Sequence, residues 1–233
     1  MLAAQSRVPG SAEALSELCQ LYWYPLYGFT RRRGYNPEEA RDLTQGFSLH
    51  LLERRVLTRV DPEKGKFRSF LLASLQNFLL TNDVRNRCLK RGGQIEFISF
   101  DATLAEDNYR AEAVDPLTPE KIFDARWGMA LLDQAMARLK NKYSAQGKTA
   151  VFEVLKPFVD MPNRRDPPPY QEVADELSVS VENAKVLIHR LRKQYTALVR
   201  EEIARTVEDA ADIDGEIHAL CEAIIAAEGR IRP

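Results

Sequence analysis

The sequence has few residues of the kinds that build disulfide or metal frameworks. Among 233 residues there are three cysteines, Cys19, Cys88 and Cys221, and three histidines. The cysteines lie far apart and form no CxxC motif, which argues against a structural zinc site or a disulfide framework and favours reduced thiols. No P-loop, GxSxG or HExxH signature is present. We therefore expect no enzymatic activity, no cofactor and no metal site.

Long apolar runs are also absent. No run approaches the roughly 18 residues that a membrane-crossing helix needs, and the N-terminus shows no basic-then-apolar leader pattern. These absences predict a cytoplasmic chain with no membrane partner. Hydrophobic residues make up 45% and charged residues 29% of the sequence, which is ordinary for a globular protein. The length allows one large domain or two small ones.

The net charge of -1 conceals an uneven distribution of charge along the chain. Three segments are basic: "RRR" at 31–33, "RNRCLKR" at 85–91 and "HRLRK" at 189–193. The segments near 101–120 and 207–222 are acidic. Because a phosphate backbone responds to local clusters of cations rather than to net charge, nucleic acid remains a candidate partner.

The first half of the chain shows three helical patterns. One helix is predicted over 11–33, with the aromatic stretch "LYWYPLYGF" in its middle. Asn36 is a good N-cap and Pro37 a good first residue for the second helix, which runs through "EEARDLTQGFSLHLLERR". The third helix, 67–91, is apolar at its start and basic at its end. The apolar stripe of the second helix contains Leu43, Phe47 and Leu51.

The second half begins with an acidic stretch without sustained periodicity, 94–119, which we interpret as a linker. Helical patterns follow over 120–143 and 148–159, then two within 170–207, and a last one over about 209–228. The apolar face predicted for the last helix contains Ile213, Ile217, Leu220, Ile224 and Ile225.

These patterns predict an all-α fold, since no segment favours a strand. The expected organisation is two helical domains joined by an acidic linker, with a C-terminal helical extension. The boundaries are 11–93 for the first domain, 94–119 for the linker, 120–205 for the second domain and 206–233 for the extension.

The stretch "YQEVADELSVSVENAKVLIHRLRK", residues 170–193, is typical of a helix-turn-helix unit. Tyr170, Val173, Ala174 and Leu177 mark the apolar face of its first helix. Ser180 is a good N-cap for the second helix. The inward face of the second helix contains Val181, Ala184, Leu187, Ile188 and Leu191. The competing interpretation is an ordinary helical hairpin whose basic face is only solvated.

Three blocks taken together resemble the bacterial RNA polymerase sigma factors of the extracytoplasmic-function class, over most of 15–205. "EEARDLTQGFSLHLLERR" resembles the family's region 2.2, which docks on the polymerase clamp. "GKFRSFLLASLQNFLLTNDVRNR" resembles regions 2.3 and 2.4, which melt and recognise the minus-10 promoter element. The helix-turn-helix stretch resembles region 4.2, which recognises the minus-35 element. The order and spacing of the blocks carry the resemblance.

The resemblance implies core RNA polymerase and promoter DNA as partners and assigns three sets of contact residues. Polymerase contacts fall on Arg41, Asp42, Gln45 and Gly46. Minus-10 contacts fall on Asn77, Asn82, Asp83, Arg85, Asn86, Arg87, Lys90 and Arg91. Minus-35 contacts fall on Ser180, Glu182, Asn183, Lys185, Val186, His189, Arg190, Arg192 and Lys193.

The sequence departs from the family pattern in the docking block. Arg41 and Gly46 stand where the family carries acids, so only Asp42 keeps its charge. A phosphate on Thr44 would add roughly -1.5 to -2 charges there, which makes Thr44 a candidate phosphorylation site, with Ser48 as the alternative. A Ser/Thr kinase or an anti-sigma regulator is thus a candidate further partner. Thr44 as an ordinary helix hydroxyl is the competing interpretation.

The C-terminal extension is the second departure, because this class generally ends soon after region 4.2. Three roles are open for the extension: packing onto the preceding helices, an intramolecular brake on the recognition helix, or binding of a regulator. The alternative to a sigma factor is a stand-alone helix-turn-helix regulator with a helical sensor or interaction domain. Docking on the polymerase distinguishes the two functions.

Overall fold

Residues described by the computed structural model form eight α-helices and two 3-10 segments, with no strand among them. The structure describes residues 11–53, 67–88, 117–160, 167–207 and 209–227. The side chains of these residues are described as well, except those of 11–21, 52–53 and 83–88. The helices are α1 (Ser11–Arg32), α2 (Pro37–Glu53), α3 (Phe67–Cys88), α4 (Pro119–Ala145), α5 (Thr149–Leu155), α6 (Tyr170–Glu176), α7 (Val181–Ala204) and α8 (Ile213–Ala226). The 3-10 segments are Lys156–Phe158 and Ala210–Asp212.

The ends of the helices follow the local signals in the sequence. Gly34, with φ of 98°, follows the end of α1 in a conformation that residues with side chains rarely adopt. Asn36 caps α2, because its side-chain oxygen accepts the backbone N–H of Glu39 at 2.9 Å. The Glu39 carboxylate accepts the backbone N–H of Asn36 at 3.1 Å in return, which completes a capping box. Thr118 caps α4 through the backbone N–H of Lys121 at 3.3 Å.

One hydrophobic core, which we call the first core, joins α1, α2 and α3 to the beginning of α4. At its centre Tyr22 of α1 stacks on Trp127 of α4, with ring centroids 3.4 Å apart and planes 8° from parallel. Ile203 at the end of α7 and Leu220 of α8 complete this core. Aromatic burial of this kind is the main source of stability in a helical core. The aromatic stretch of α1 therefore serves core packing, since Tyr22, Trp23, Tyr27 and Phe29 are all buried.

A second core lies around the helix-turn-helix unit. Ala135 and Leu139 from the end of α4 pack there with buried side chains of α5, α6 and α7. Phe152 and Leu155 supply the part of this core that comes from α5. The short helices α5 and α6 and the first half of α7 are thus arranged around the last turns of α4.

Helix α4 contributes to both cores. Its 27 residues span about 40 Å, and its buried side chains divide between the first core up to Leu131 and the second core from Ala135. The sequence placed all of 120–205 in a second domain. The packing instead assigns the first turns of α4 to the core formed by α1, α2 and α3.

Two exposed side chains differ from the predicted apolar faces. Ile225 of α8 is 63% exposed, and Tyr170 of α6 is 41% exposed. Ile225 follows Ile224 directly, and on a helix adjacent residues do not share a face. Tyr170 stands at the first position of α6 and stacks on Phe158, with ring centroids 5.9 Å apart, instead of entering the core.

Candidate nucleic-acid interface

The turn between α6 and α7 has a defined hydrogen-bonding pattern. The backbone N–H of Ser178 donates to Asp175 O at 3.2 Å, and that of Val179 donates to Ala174 O at 2.9 Å. This pair of bonds is a Schellman motif, in which the residue after the helix adopts a left-handed conformation. Ser178 does so with φ of 53°. The turn therefore sets a fixed angle between the two helices.

Helix α7 begins at the predicted cap. The Ser180 hydroxyl oxygen accepts the backbone N–H of Asn183 at 3.2 Å, and Ser180 itself is extended, with φ of -73° and ψ of 157°. Ala184, Ile188 and Leu191 are buried in the second core. The predicted inward face of α7 is confirmed at these three positions. One side of the helix is anchored and the opposite side remains open.

The open side of α7 carries all the residues predicted to contact the minus-35 element. Each of them is exposed, and even the apolar Val186 is 44% exposed. Within 181–193, the part of α7 that carries these residues, Lys185, Arg190, Arg192 and Lys193 provide four positive charges, against the single carboxylate of Glu182. The full exposed set is Ser180, Glu182, Asn183, Lys185, Val186, His189, Arg190, Arg192 and Lys193.

Two of these cations rest against aromatic rings at the edge of the open side. The Arg192 Nε donates to Phe158 O at 3.3 Å, and its guanidinium lies 5.8 Å from the centroid of the Phe158 ring. The Lys185 ammonium lies 5.7 Å from the centroid of the Tyr170 ring. The sequence pattern places Tyr170 on the apolar face of α6, so its contact with Lys185 was not predicted. Its place at a helix start, where burial is least complete, is the signal that could have found it.

The end of α3 is the second candidate surface. Asn77 is exposed and Asn82 is half-buried, so both amides reach the surface. Leu80 between them is 60% exposed. Asp83, Arg85, Asn86 and Arg87 belong to the same helix, but their side chains lie outside the described residues, as do Lys90 and Arg91 entirely. Phe67 and Leu71 are buried in the first core, as expected for packing residues.

The candidate docking surface on α2 is narrower than the sequence suggests. Asp42 is exposed, and its Oδ1 lies 3.8 Å from the Nε of the neighbouring Arg41. Gln45 and Gly46 are half-buried. A Cβ atom on Gly46 would lie 3.4 Å from the Phe78 ring of α3, so an acid there would start towards α3 rather than outward. Among the four residues predicted to contact the polymerase, Asp42 is the one carboxylate, and it is exposed.

The structure corrects the prediction that Thr44 is a phosphorylation site. Thr44 is 0% exposed, and its hydroxyl donates to Ala40 O at 2.7 Å. A phosphate on this oxygen would place about two negative charges in a buried position, which is strongly unfavourable. Thr44 is thus a packing hydroxyl in the conformation seen. Ser48 is half-buried, and its hydroxyl donates to Thr44 O at 3.0 Å.

Several buried charges were not anticipated from the sequence. Glu202 near the end of α7 is 2% exposed and pairs with Arg138 of α4, and it also lies 3.2 Å from Arg205. The hydrogen bond from Arg138 to Glu202 is the main cause that raises the pKa of the Arg138 guanidinium. These contacts fix the end of α7 on α4. Nothing in a single sequence distinguishes them from exposed charges.

Tyr195 is a further anchor between α7 and α4. Its hydroxyl donates to Leu132 O at 3.3 Å. Burial raises the pKa of this phenol well above its usual range, and the nearby charges of Asp133 and Asp160 raise it further. The phenol therefore stays protonated and keeps its hydrogen bond over the physiological pH range.

Searches of family models, of curated proteins and of solved structures each found no match to this chain. In the part of the chain that the structure describes, no group of three or more His, Cys, Asp or Glu side chains is arranged to hold a metal ion. No helix in the described ranges is long and apolar enough to cross a membrane.

Proposed function

We propose that this chain is a sigma factor that binds core RNA polymerase and directs transcription initiation at specific promoters. The observation that carries the proposal is the helix-turn-helix unit, in which a capped α7 presents a continuous polar and basic side. In units of this kind the second helix enters the major groove, and its first residues contact base edges. Glu182, Asn183 and Lys185 occupy those positions.

The position of a residue along α7 determines whether it would contact a base or a phosphate. Residues in the first two turns lie where base edges would be contacted, and cations further along lie where phosphates would be contacted. Arg192 and Lys193 belong to the second group. The hydrogen bond of Arg192 to Phe158 O leaves its terminal nitrogens as the contact atoms.

Two further surfaces support a role beyond simple DNA binding. Asn77 and Asn82 on α3 offer amide groups of the type that bind exposed bases. Asp42 on α2 offers a carboxylate for a basic partner such as the polymerase clamp. One observation favours the alternative of a stand-alone helix-turn-helix regulator: Arg41 lies close to Asp42 and reduces the negative field of the docking surface.

The test is transcription from a genomic fragment library by core RNA polymerase reconstituted with the purified chain. We expect a defined set of promoters and expect the double variant Asp42→Ala/Gln45→Ala to lose polymerase binding in a pull-down while keeping its helicity. The matched control is Glu38→Ala, an exposed carboxylate in the first turn of the same helix. Sequence-specific DNA binding without polymerase binding would replace the proposal with the stand-alone regulator.

A further inference from the structure

A row of two cations and two aromatic rings runs along one edge of the open side of α7. The Lys185 ammonium lies 5.7 Å from the centroid of the Tyr170 ring, and that ring stacks on Phe158 with centroids 5.9 Å apart and planes 10° from parallel. The guanidinium of Arg192 lies 5.8 Å from the Phe158 centroid at the other end of the row. Positions 185 and 192 of a helix share one face and lie about 10 Å apart along the axis, because they are separated by almost two full turns. The two rings therefore connect the two cations along that face.

The Phe158 end of this row is fixed. Phe158 is 9% exposed and belongs to the second core, and its backbone oxygen accepts the Nε–H of Arg192 at 3.3 Å. Tyr170 begins α6, whose Val173 and Ala174 are buried in the same core. The Tyr170 ring is thus backed by Phe158 and by an anchored helix, although 41% of this residue is exposed. It presents a rigid surface at the edge of α7.

The contact with the ring leaves the charge of Lys185 available to a ligand. Among the residues whose side chains are described, no carboxylate lies within ion-pair distance of the Lys185 ammonium, whereas Lys140 of α4 pairs with Glu153 at 2.9 Å. A cation on an aromatic face keeps its charge, while the ring limits the conformations of the flexible lysine side chain. Lys185 therefore loses less conformational freedom when its ammonium binds an anion.

The place of Tyr170 in the fold indicates which part of the DNA that anion belongs to. In a bound helix-turn-helix unit the first helix crosses the phosphate backbone, and the second lies in the major groove. Tyr170 is the first residue of the first helix, α6, so an ammonium held at its ring would lie beside the backbone rather than over the base edges. Lys185 is therefore an exception to the assignment by position along α7, which alone would place it among the base contacts.

We propose that Tyr170 is a positioning residue that holds Lys185 against a backbone phosphate of duplex DNA, and that Lys185 contacts no base. This inference rests on the proposed function and deepens it, because it narrows the base-contacting residues at the start of α7 to Glu182 and Asn183. Lys185 and Arg192 then contact phosphates from the two ends of the row. Tyr170 acts through its ring, so its hydroxyl is not required.

The test measures the Kd of the full-length chain for a random-sequence DNA duplex pool at several salt concentrations. Tyr170→Leu removes the ring, Tyr170→Phe removes only the hydroxyl, and Lys185→Ala removes the ammonium. The double variant Tyr170→Leu/Lys185→Ala completes a double-mutant cycle. The matched control is Tyr143→Leu, which removes a half-buried tyrosine ring that packs on Phe152 in the same core, with centroids 5.8 Å apart. Circular dichroism and thermal unfolding show whether each variant is folded.

We expect Tyr170→Leu to raise the Kd roughly threefold, the size of one exposed contact between a cation and a ring, while Tyr170→Phe and the control bind like the wild type. Lys185→Ala should reduce the salt slope by about 1 and leave base preferences unchanged in a library of single-base variants. The double variant should bind no more weakly than Lys185→Ala alone, because the ring acts only through the ammonium.

Four results would overturn the proposal: no binding of the wild type to the pool, additive losses in the double variant, an altered base preference in Lys185→Ala, or an equal loss in Tyr170→Phe. The Lys185→Ala variant decides the phosphate assignment even where Tyr170→Leu fails to fold. Polymerase binding and promoter selection in the transcription experiment do not depend on these results, so the two proposals fail separately.

Discussion

Helices α2 and α7 both carry candidate contact residues, yet neighbouring helices cover them to different extents. The first half of α7 packs on the second core along one side only, and its whole polar side is exposed. Helix α2 is enclosed by α1 on one side, near Ala40, and by α3 on the other, near Phe78. A helix covered on one side keeps every polar position available, whereas a helix covered on two sides keeps only a narrow strip. The candidate contact residues of α7 are therefore all accessible to a partner, whereas those of α2 are accessible only in part.

The largest expected effect tests the covered side of α2. Thr44→Glu should lower the free energy of unfolding by at least about 3 kcal/mol, because it places a charge in a fully buried position. Urea denaturation followed by circular dichroism measures this change. Arg41→Glu, on the exposed side of the same helix, should change stability by less than about 0.5 kcal/mol. Equal stabilities for the two variants would mean that α2 is not enclosed as described.

The next effect separates the two sides of α7. Leu191→Ala should lower the free energy of unfolding by about 2–5 kcal/mol, since Leu191 is fully buried. Val186→Ala should stay within about 0.5 kcal/mol, because Val186 is 44% exposed. Thermal unfolding of both variants, with DNA binding measured in parallel, sharpens the comparison. A loss of stability in Val186→Ala would show that the open side is covered in solution.

A smaller expected effect, on DNA binding, distinguishes base contacts from phosphate contacts along the open side of α7. Asn183→Ala should cost about 1–3 kcal/mol at one base position and relax specificity there. Lys193→Ala should weaken binding to all sequences alike and reduce the salt slope by about 1. Binding to a library of single-base variants at several salt concentrations measures both. Lys140→Ala, a lysine of α4 that pairs with Glu153, serves as the control for a general loss of positive charge. The same specificity profile for Asn183→Ala and Lys193→Ala would show that the division is wrong.

The smallest effect concerns the turn that positions α7. Ser178→Gly should raise the free energy of unfolding by about 0.5 kcal/mol, because glycine adopts the left-handed conformation without a Cβ penalty. Ala197→Gly, at an exposed position inside α7, should lower it by about 0.5–1 kcal/mol. Differential scanning calorimetry resolves opposite shifts of this kind. Destabilisation by both changes would contradict the left-handed turn.

The local features of this fold were predictable from the sequence. The capping box at Asn36 and Glu39, the cap at Ser180 and the Pro119 start of α4 each depend on a few adjacent residues. The inward side of α7 was predictable as well, because its apolar residues recur at helical spacing. These signals need no knowledge of which elements pack together.

The burial of Thr44 had a signal that was overlooked. Ala40, Thr44, Phe47 and Leu51 recur at helical spacing and are all buried, so the hydroxyl lies within the stripe that faces the core. A short hydroxyl side chain is compatible with burial when it bonds the carbonyl four residues earlier. The sequence alone could not predict the pairing of Glu216 with Arg68, because the two residues lie 148 positions apart and only the packing of α8 brings them together.

The shared helix α4 has a geometric consequence for the direction in which α7 faces. Each residue of an α-helix turns the chain by about 100° and advances it by about 1.5 Å. The three residues between Leu131 and Ala135 therefore set the angle, around the axis of α4, between the side that packs in the first core and the side that packs in the second. Insertion of a single alanine there would rotate the side of α4 that carries Ala135 and Leu139 by about 100° relative to the side that carries Trp127 and Leu131, so α7, which packs on both cores, could not keep both sets of contacts. Residue count, not residue identity, fixes the angular phase between the two halves of the molecule.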